Sequence, residues 1–152
     1  MVNKKLFTKK ILILFLSILF LDVLTKQIIK SFQIHTTTGI VDITYTTNQG
    51  SLFSLLSNVE WINLFFIFAS IFALIALYFI WQSEKINSIP LIFIFTGVLG
   101  NLIDRLLYSE VIDWINFHFW PVFNIADSVI VIGVVWILIN IFLESKTNNS
   151  KN

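Results

Sequence analysis

The chain has 152 residues, of which 57% are hydrophobic and only 12% are charged, and its formal net charge is +1. Soluble domains are usually about a quarter charged, so this composition excludes an ordinary soluble domain and predicts a membrane protein. The near-neutral charge gives no electrostatic case for nucleic-acid binding, and the absence of Cys excludes disulfides, thiol nucleophiles and thiolate-bound metals.

Four segments are long and apolar enough to cross a bilayer, which needs roughly 20 helical residues. They cover residues of about 11–29, 61–81, 89–108 and 123–143. Trp61 and Trp81 bound the second segment, at a separation of about 30 Å along a helix that suits two interfacial aromatic belts. We therefore predict an all-α membrane protein, a four-helix bundle forming a single integral membrane domain over residues 1–152.

The lysines near the helix ends predict the orientation. Seven of them fall on one side of an even number of spans: Lys4, Lys5, Lys9, Lys10, Lys85, Lys146 and Lys151. Because positive loops stay in the cytoplasm, both termini are predicted to be cytoplasmic. No small-x-small cleavage site follows the first apolar run, so we interpret it as a retained helix rather than a signal peptide.

Two segments lie on the predicted outer side. The first, from Ser31 to Glu60, contains alternating β-branched residues and an Asn-Gln-Gly turn, which predicts a small β-structure over about residues 38–56. The second, "VIDWINFHFWPVFNIADS" (111–128), is predicted to form an aromatic loop between two aspartates. We interpret Asp42 as a solvated loop charge and His118 as an exposed loop residue.

Polar residues near the outer ends of three spans are functional candidates, because an unpaired charge inside a membrane costs several kcal/mol. Their spacing places each group on one helix face. The groups are Asp22, Thr25 and Lys26 on the first span, Asn101, Asp104, Arg105 and Tyr108 on the third, and Asn124, Asp127 and Ser128 on the fourth. Three helices are therefore expected to point polar faces at one shared depth.

Structural roles explain several of these candidates. Asp22 and Lys26 are spaced i, i+4, which favours a stapling ion pair, and Arg105 fits a structural clamp better than a catalyst. Asn101 and Asn124 suit hydrogen bonds between helices, and such bonds would also tune a neighbouring carboxylate.

Asp113 and Asp127 are the acids that a structural role explains least well. The chain turns back between them, so both return to the same outer face, and neither has a Lys or Arg at helical spacing. Burial and like charge then raise one pKa, so that the pair shares a proton and supplies an acid and a base to one water. The residues alone leave a catalytic and a structural pair equally open.

Two other functional classes compete with an enzyme. A four-span proton-coupled carrier would hold its essential acid near the midplane, whereas these acids cluster at one end. A purely structural membrane subunit is disfavoured by the same placement, although only mildly. Nothing in the sequence demands more than a monomer.

Five blocks of the sequence are "LDVLTKQIIK" (21–30), "NQGSLFSLL" (48–56), "GVLGNLIDRL" (97–106), "VIDWI" (111–115) and "FNIADSVI" (123–130). Together they resemble the blocks of lipoprotein signal peptidases, the signal peptidase II family. They occur in the order and at the spacing of the family, and the resemblance covers nearly the whole chain.

The resemblance implies an aspartyl endopeptidase of the bacterial inner membrane, without metal or cofactor, whose active site lies at the extracytoplasmic face. Its substrates are diacylglyceryl prolipoproteins, cut just before the lipidated Cys, and its inhibitor is globomycin. The catalytic residues that it implies are Asp113 and Asp127. The supporting residues match Asp22, Lys26, Asn48, Gly50, Gly100, Asn101, Asp104, Arg105, Asn124, Ala126 and Ser128.

Two features depart from the family pattern. Ser51 and Leu52 stand where two alanines are usual, and the stretch between the aspartates looks somewhat short. We expect the first departure to affect substrate or inhibitor fit near Asn48. The second concerns a loop that could act as a lid.

Overall fold

The computed structural model describes residues 4–37, 39–49, 61–82 and 88–149. In chain order the elements are α1 (Lys4–Phe32), β1 (His35–Thr36), β2 (Asp42–Asn48), α2 (Ile62–Gln82), α3 (Ser88–Tyr108), β3 (Val111–Asn116) and α4 (Ile125–Asn149). Gly50, Ser51 and Leu52, with the rest of the predicted β-segment up to residue 56, lie outside the described residues.

The four-helix membrane fold is confirmed. Each helix contains a stretch long and apolar enough to cross a bilayer: Lys9–Phe32, Ile62–Gln82, Ile89–Tyr108 and Ile125–Thr147. The helix starts differ slightly from prediction, since α4 begins at Ile125 instead of residue 123. The reason is local, because the side chain of Asn124 caps the helix and its residue lies outside it.

Helix α3 is the centre of the bundle and packs against each of the other three helices. Two glycines allow its close approach to α4. A Cβ on Gly97 would collide with the carbonyl oxygen of Ala126, and a Cβ on Gly133 would lie 2.6 Å from the carbonyl oxygen of Pro90. Small residues bring membrane helices together in this way, because packing rather than water exclusion drives their association.

The interior of the protein contains many polar side chains, and the outer surfaces of its helices are apolar. Large apolar side chains such as Phe20, Phe72 and Phe142 are exposed along the helices, as expected for surfaces that face lipid. Among the described residues, the buried polar ones are Asp22, Lys26, Asp42, Thr96, Asn101, Asp104, Asp113 and Asn124. Asp42 is only 6% exposed, so the prediction that it is a solvated loop charge is wrong.

A three-stranded antiparallel sheet, in the order β1-β2-β3, accompanies the helices. The predicted β-structure in the first outer segment is confirmed by β2, whereas β1 lies slightly before the predicted range. The third strand comes from the stretch predicted to be a loop, which is a correction. It pairs with β2 so that Asp113 lies opposite Thr46 and Val111 opposite Asn48.

Candidate functional site

The chain between α3 and α4 brings Asp113 and Asp127 to the same end of the bundle. After α3 it turns at Ser109, which adopts a positive φ of 62°, and enters β3 with Asp113. The loop that follows closes on itself, because Ile115 and Phe123 exchange backbone hydrogen bonds of 2.8 and 3.1 Å. Asp127 then falls in the first turn of α4.

Asn124 is the N-cap of α4 and also links the two aspartates. Its Oδ1 accepts a hydrogen bond from the backbone N of Asp127 at 2.9 Å, and its own backbone N donates to Asp127 Oδ2 at 3.2 Å. This reciprocal pair is a capping box, with Asp in the place usually taken by Glu or Gln. The Nδ2 of the same side chain donates to Asp113 Oδ1 at 2.7 Å, so one buried amide contacts both acids.

Asp127 uses both carboxylate oxygens. Oδ1 accepts a bond of 2.7 Å from Asn101 Nδ2, and Oδ2 closes the capping box. The side chain lies at the N-terminus of a long helix, where the helix dipole favours a negative charge. Unlike Asp113, Asp127 is only half-buried, so a water can reach it.

Asp113 is 2% exposed and accepts hydrogen bonds from amides on two sides. Asn124 Nδ2 contacts Oδ1, and Asn48 Nδ2, from the end of β2, contacts Oδ2 at 3.2 Å. Burial, and then the nearby charge of Asp127, raise the pKa of Asp113 from 3.8 to about 7. At neutral pH this carboxyl therefore holds a proton in a large fraction of molecules.

Next to this carboxylate pair (Asp113 and Asp127) lies a second buried group of charges, the Lys26 cluster (Asp22, Lys26 and Asp104). Lys26 Nζ lies 2.8 Å from Asp22 Oδ2 and 3.0 Å from Asp104 Oδ2. The predicted i, i+4 pair is therefore present, although Asp22 Oδ2 accepts no well-aligned hydrogen bond, which makes that contact electrostatic. The cluster joins α1 to α3.

Arg105 does not belong to either group. Its guanidinium lies over the ring of Phe66 in α2 at 5.2 Å, and Nη1 donates to the carbonyl oxygen of Asn101 at 3.4 Å. Its Nε is buried without a hydrogen-bond partner. These contacts fit the expected clamp between helices.

The loop between the two aspartates is held against the sheet. His118 Nε2 lies 3.3 Å from Asp42 Oδ2 in β2, and the rings of Phe117 and Phe123 stack at 5.7 Å. Phe119 and Trp120 at its tip are 84% and 63% exposed. Asp42 is thus buried under the loop between the two aspartates.

The site assembles most of the predicted residues within hydrogen-bonding distance of one another. The carboxylate pair, the Lys26 cluster, Asn48, Asn101 and Asn124 form one connected set. Arg105 borders this set, and Gly50 lies outside the described residues. Sequence reasoning expected Asn48 to contact substrate and missed its bond to Asp113, which depends on strand pairing that has no local signal.

No group of three or more His, Asp or Glu side chains in residues 4–37, 39–49, 61–82 and 88–149 is arranged to hold a metal ion. What the site offers is two neighbouring carboxyl groups, one protonated near neutrality and one partly open to water. This arrangement can give a proton and accept another in the same reaction.

Comparisons with known proteins agree with this geometry. The family model of signal peptidase (SPase) II matches residues 14–143. A lipoprotein signal peptidase of Syntrophomonas wolfei is 36% identical over 139 residues, covering 87% of this chain and 92% of the relative. Another, from Geobacter metallireducens, is 34% identical over 122 residues and covers 75% of each chain.

Solved structures extend the similarity to the fold. Two structures of a bacterial membrane enzyme, determined by the in meso method, superpose with a TM-score of 0.78 at 29% identity. They cover 92% and 88% of this chain, and this chain covers 91% and 92% of theirs. The protein is thus a bacterial membrane peptidase, and the chain belongs to the signal peptidase II family.

Proposed function

We propose that this protein is an aspartyl endopeptidase that removes the signal peptide from diacylglyceryl-modified prolipoproteins, cutting just before the lipidated Cys. The observation that carries the aspartyl mechanism is the bridge through Asn124, which contacts Asp113 and Asp127 at once. The proposed substrate is supported by the name shared by the relatives, lipoprotein signal peptidase.

The surroundings of the two acids give one of them the role of general acid and the other the role of general base. Asp113, whose pKa is raised to about 7, holds the proton, while Asp127 at the helix N-terminus is the carboxylate. Asp127 takes a proton from a water whose oxygen attacks the scissile carbonyl carbon, and Asp113 gives its proton to the carbonyl oxygen. When the tetrahedral intermediate collapses, Asp127 protonates the leaving amine of the Cys, and Asp113 recovers its proton from the hydroxyl group.

The lipid-facing surface of the bundle suits a substrate that stays in the membrane. The signal-peptide helix would enter sideways from the bilayer, with its diacylglyceryl chains in lipid. The exposed aromatic residues Phe119 and Trp120 would lie at the interface and shield the scissile bond from bulk water. Globomycin-type inhibitors would compete with the signal peptide for the same site.

The lysine distribution supports an orientation with both termini in the cytoplasm. The carboxylate pair would then face the extracytoplasmic side, where the modified Cys of a translocated prolipoprotein lies. A reporter fused after Thr147 and tested for cytoplasmic activity checks this orientation, and activity on the opposite side would contradict it.

The decisive experiment is a cleavage assay with the purified full-length protein in lipid nanodiscs and a diacylglyceryl-modified prolipoprotein. We expect Asp113→Asn and Asp127→Asn each to lose at least about a thousandfold in kcat, because an amide can neither accept the proton of water nor give one to the carbonyl. Mass spectrometry of the product should show an N-terminal lipidated Cys.

Glu110→Gln is the matched control, because it removes a carboxylate three residues before Asp113 that makes no contact with the carboxylate pair. It should cleave at the wild-type rate. Wild-type cleavage by either aspartate variant would refute the aspartyl mechanism. Equal processing of unmodified prolipoprotein by the wild type would refute the lipid requirement.

A further inference from the structure

Lys26 occupies a position that the catalytic proposal leaves unused. Its side chain is 1% exposed, and three oxygen atoms surround Nζ at 2.8 to 3.0 Å, from Asp22, Asp104 and Asn101. Asn101 Oδ1 accepts a hydrogen bond from Nζ, and the two carboxylate oxygens form ion pairs with it. The cation is therefore held in place from two helices, α1 and α3.

Two of the oxygens belong to carboxylates that also hold backbone next to the carboxylate pair. Asp22 Oδ1 accepts a hydrogen bond of 2.8 Å from the backbone N of Ala126, the residue directly before Asp127. Asp104 Oδ2 accepts one of 3.1 Å from the backbone N of Ile112, the residue directly before Asp113. Lys26 thus ties together the two segments that carry the acids.

The third oxygen sets the direction of a hydrogen-bond donor. Asn101 Oδ1 accepts from both Lys26 Nζ at 3.0 Å and Asn124 Nδ2 at 3.1 Å. If this amide rotated by a half-turn, its NH₂ group would face the two donors, Lys26 Nζ and Asn124 Nδ2, and both hydrogen bonds would be lost. Its Nδ2 must therefore point at Asp127 Oδ1, where the distance is 2.7 Å.

We propose that Lys26 is a positioning residue of the peptidase reaction, which sets both the separation of Asp113 and Asp127 and the direction in which Asn101 donates. It acts through Asn101, Ala126 and Ile112 and touches neither substrate nor water. The inference rests on the proposed function, because it concerns the geometry of the same carboxylate pair. A simple staple between α1 and α3 would need the two ion pairs and not the bond to Asn101.

The absence of Cys from the chain allows a specific rescue experiment. Lys26→Cys in the full-length protein supplies the sole thiol, whose sulfur displaces bromide from bromoethylamine and rebuilds an ammonium on a side chain of lysine length. Bromopropane attaches a neutral group of the same bulk by the same displacement. The control is Lys30→Met, which removes a cation one turn further along α1, where Lys30 Nζ lies over the ring of Tyr108.

We expect Lys26→Cys to lower kcat by about a hundredfold, the scale of a misplaced catalytic group, with KM changed less than about threefold. Aminoethylation should raise the kcat of Lys26→Cys by at least about tenfold, and propylation should leave it unchanged. Lys30→Met should keep wild-type kcat. The proposal is overturned if Lys26→Cys keeps wild-type kcat, or if both alkylated proteins have the same kcat and differ only in thermal midpoint.

Lys26→Arg keeps the test open if Lys26→Cys does not fold. Arginine retains the charge between Asp22 and Asp104, but its planar guanidinium cannot present three N–H bonds in the lysine arrangement. Lys26→Arg should have wild-type thermal stability and a kcat at least about tenfold below that of the wild type. Full activity would show that Lys26 only joins α1 to α3. The wild type is assayed in the same nanodiscs, and if it fails to cleave, the proposed function is refuted instead.

Discussion

The Lys26 cluster and the carboxylate pair lie side by side at one end of the bundle, and they differ in how their charges are matched. In the first, one buried ammonium lies within 3.0 Å of two carboxylates. In the second, two carboxyl groups have neutral amides as neighbours and no ion pair within 4.0 Å, among the residues that the structure describes.

This difference explains why one cluster suits support and the other suits proton transfer. A buried cation between two carboxylates is held in place by both of them, because losing either would leave a buried charge unpaired. A buried carboxyl next to another acid is held near its point of titration, and the pKa of about 7 for Asp113 is the consequence. Asn101 contacts both groups, through Lys26 and through Asp127, and Asn124 contacts Asn101 and both acids.

After the two aspartates themselves, the largest effect should come from removing the residue that links them. Asn124→Ala deletes the donor to Asp113 and the N-cap of α4. We expect kcat/KM to fall by about 10² to 10³, as for other preorganised donors, and stability to fall by about 1 kcal/mol. Both are read from cleavage kinetics and thermal unfolding in nanodiscs.

Asn140→Ala is the control for that variant, because it makes the same change further along α4. Its kcat/KM should equal that of the wild type. If Asn124→Ala also keeps wild-type activity, the contact of Asn124 with both acids does not contribute to catalysis.

Changing the pH should act on the carboxylate pair through Asp113. Asp113 must carry the proton, and its raised pKa means that this form is lost as pH rises through about 7. We expect kcat/KM to fall about tenfold for each pH unit above that value. Activity that stays level to pH 9 would show that Asp113 is not the acid.

The same pKa has a consequence for stability with a definite sign. Because the folded value of about 7 exceeds the ordinary 3.8, stability is lost as pH rises from about 4 to about 7. Asp113→Asn does not ionise, so at pH 8 its thermal midpoint should exceed that of the wild type, by roughly 2–4 °C for each kcal/mol gained. The gap should shrink at pH 5.

A smaller effect should follow from a substitution that displaces one carboxylate of the Lys26 cluster. A Cβ on Gly100 would lie 2.6 Å from Asp22 Oδ2, so Gly100→Ala must displace the carboxylate that holds Ala126. We expect kcat to fall by about tenfold through this displacement. Leu106→Ala, on the exposed face of the same helix, should leave kcat unchanged, and an unchanged Gly100→Ala would mean that the Asp22 contact tolerates displacement.

The smallest effect should come from outside both groups. His118→Gln removes the contact with Asp42 that holds the aromatic loop. Because a half-exposed pair contributes at most about 1 kcal/mol, kcat/KM should stay within about threefold of the wild type. A larger loss would give this loop a direct part in catalysis.

Local patterns predicted a good part of the site. The i, i+4 spacing predicted the Asp22–Lys26 ion pair, because one turn of helix brings such residues together whatever surrounds them. Asn124-x-x-Asp127 also has the spacing of a capping box. The N-cap that makes α4 begin two residues later than predicted could therefore have been found from the sequence.

Strand pairing was beyond local prediction. Residues 111–116 have a β-prone composition, but their partner β2 lies more than sixty residues earlier, and no periodicity within six residues identifies it. The burial of Asp42 and the bond from Asn48 to Asp113 both depend on this pairing. This is why the sequence wrongly suggested a solvated charge at Asp42 and did not predict the bond from Asn48.

The sequence by itself determined the number of spans, the end of the bundle at which the polar residues gather, and which two acids come together there without a Lys or Arg at helical spacing. These properties depend on hydropathy and on helical spacing, which act within a few turns of chain. Only the tertiary structure decided which polar atoms pair. Hydrogen bonds need contact at about 3 Å, and the atoms concerned come from α1, β2, α3, β3 and α4, whose separations no local pattern encodes.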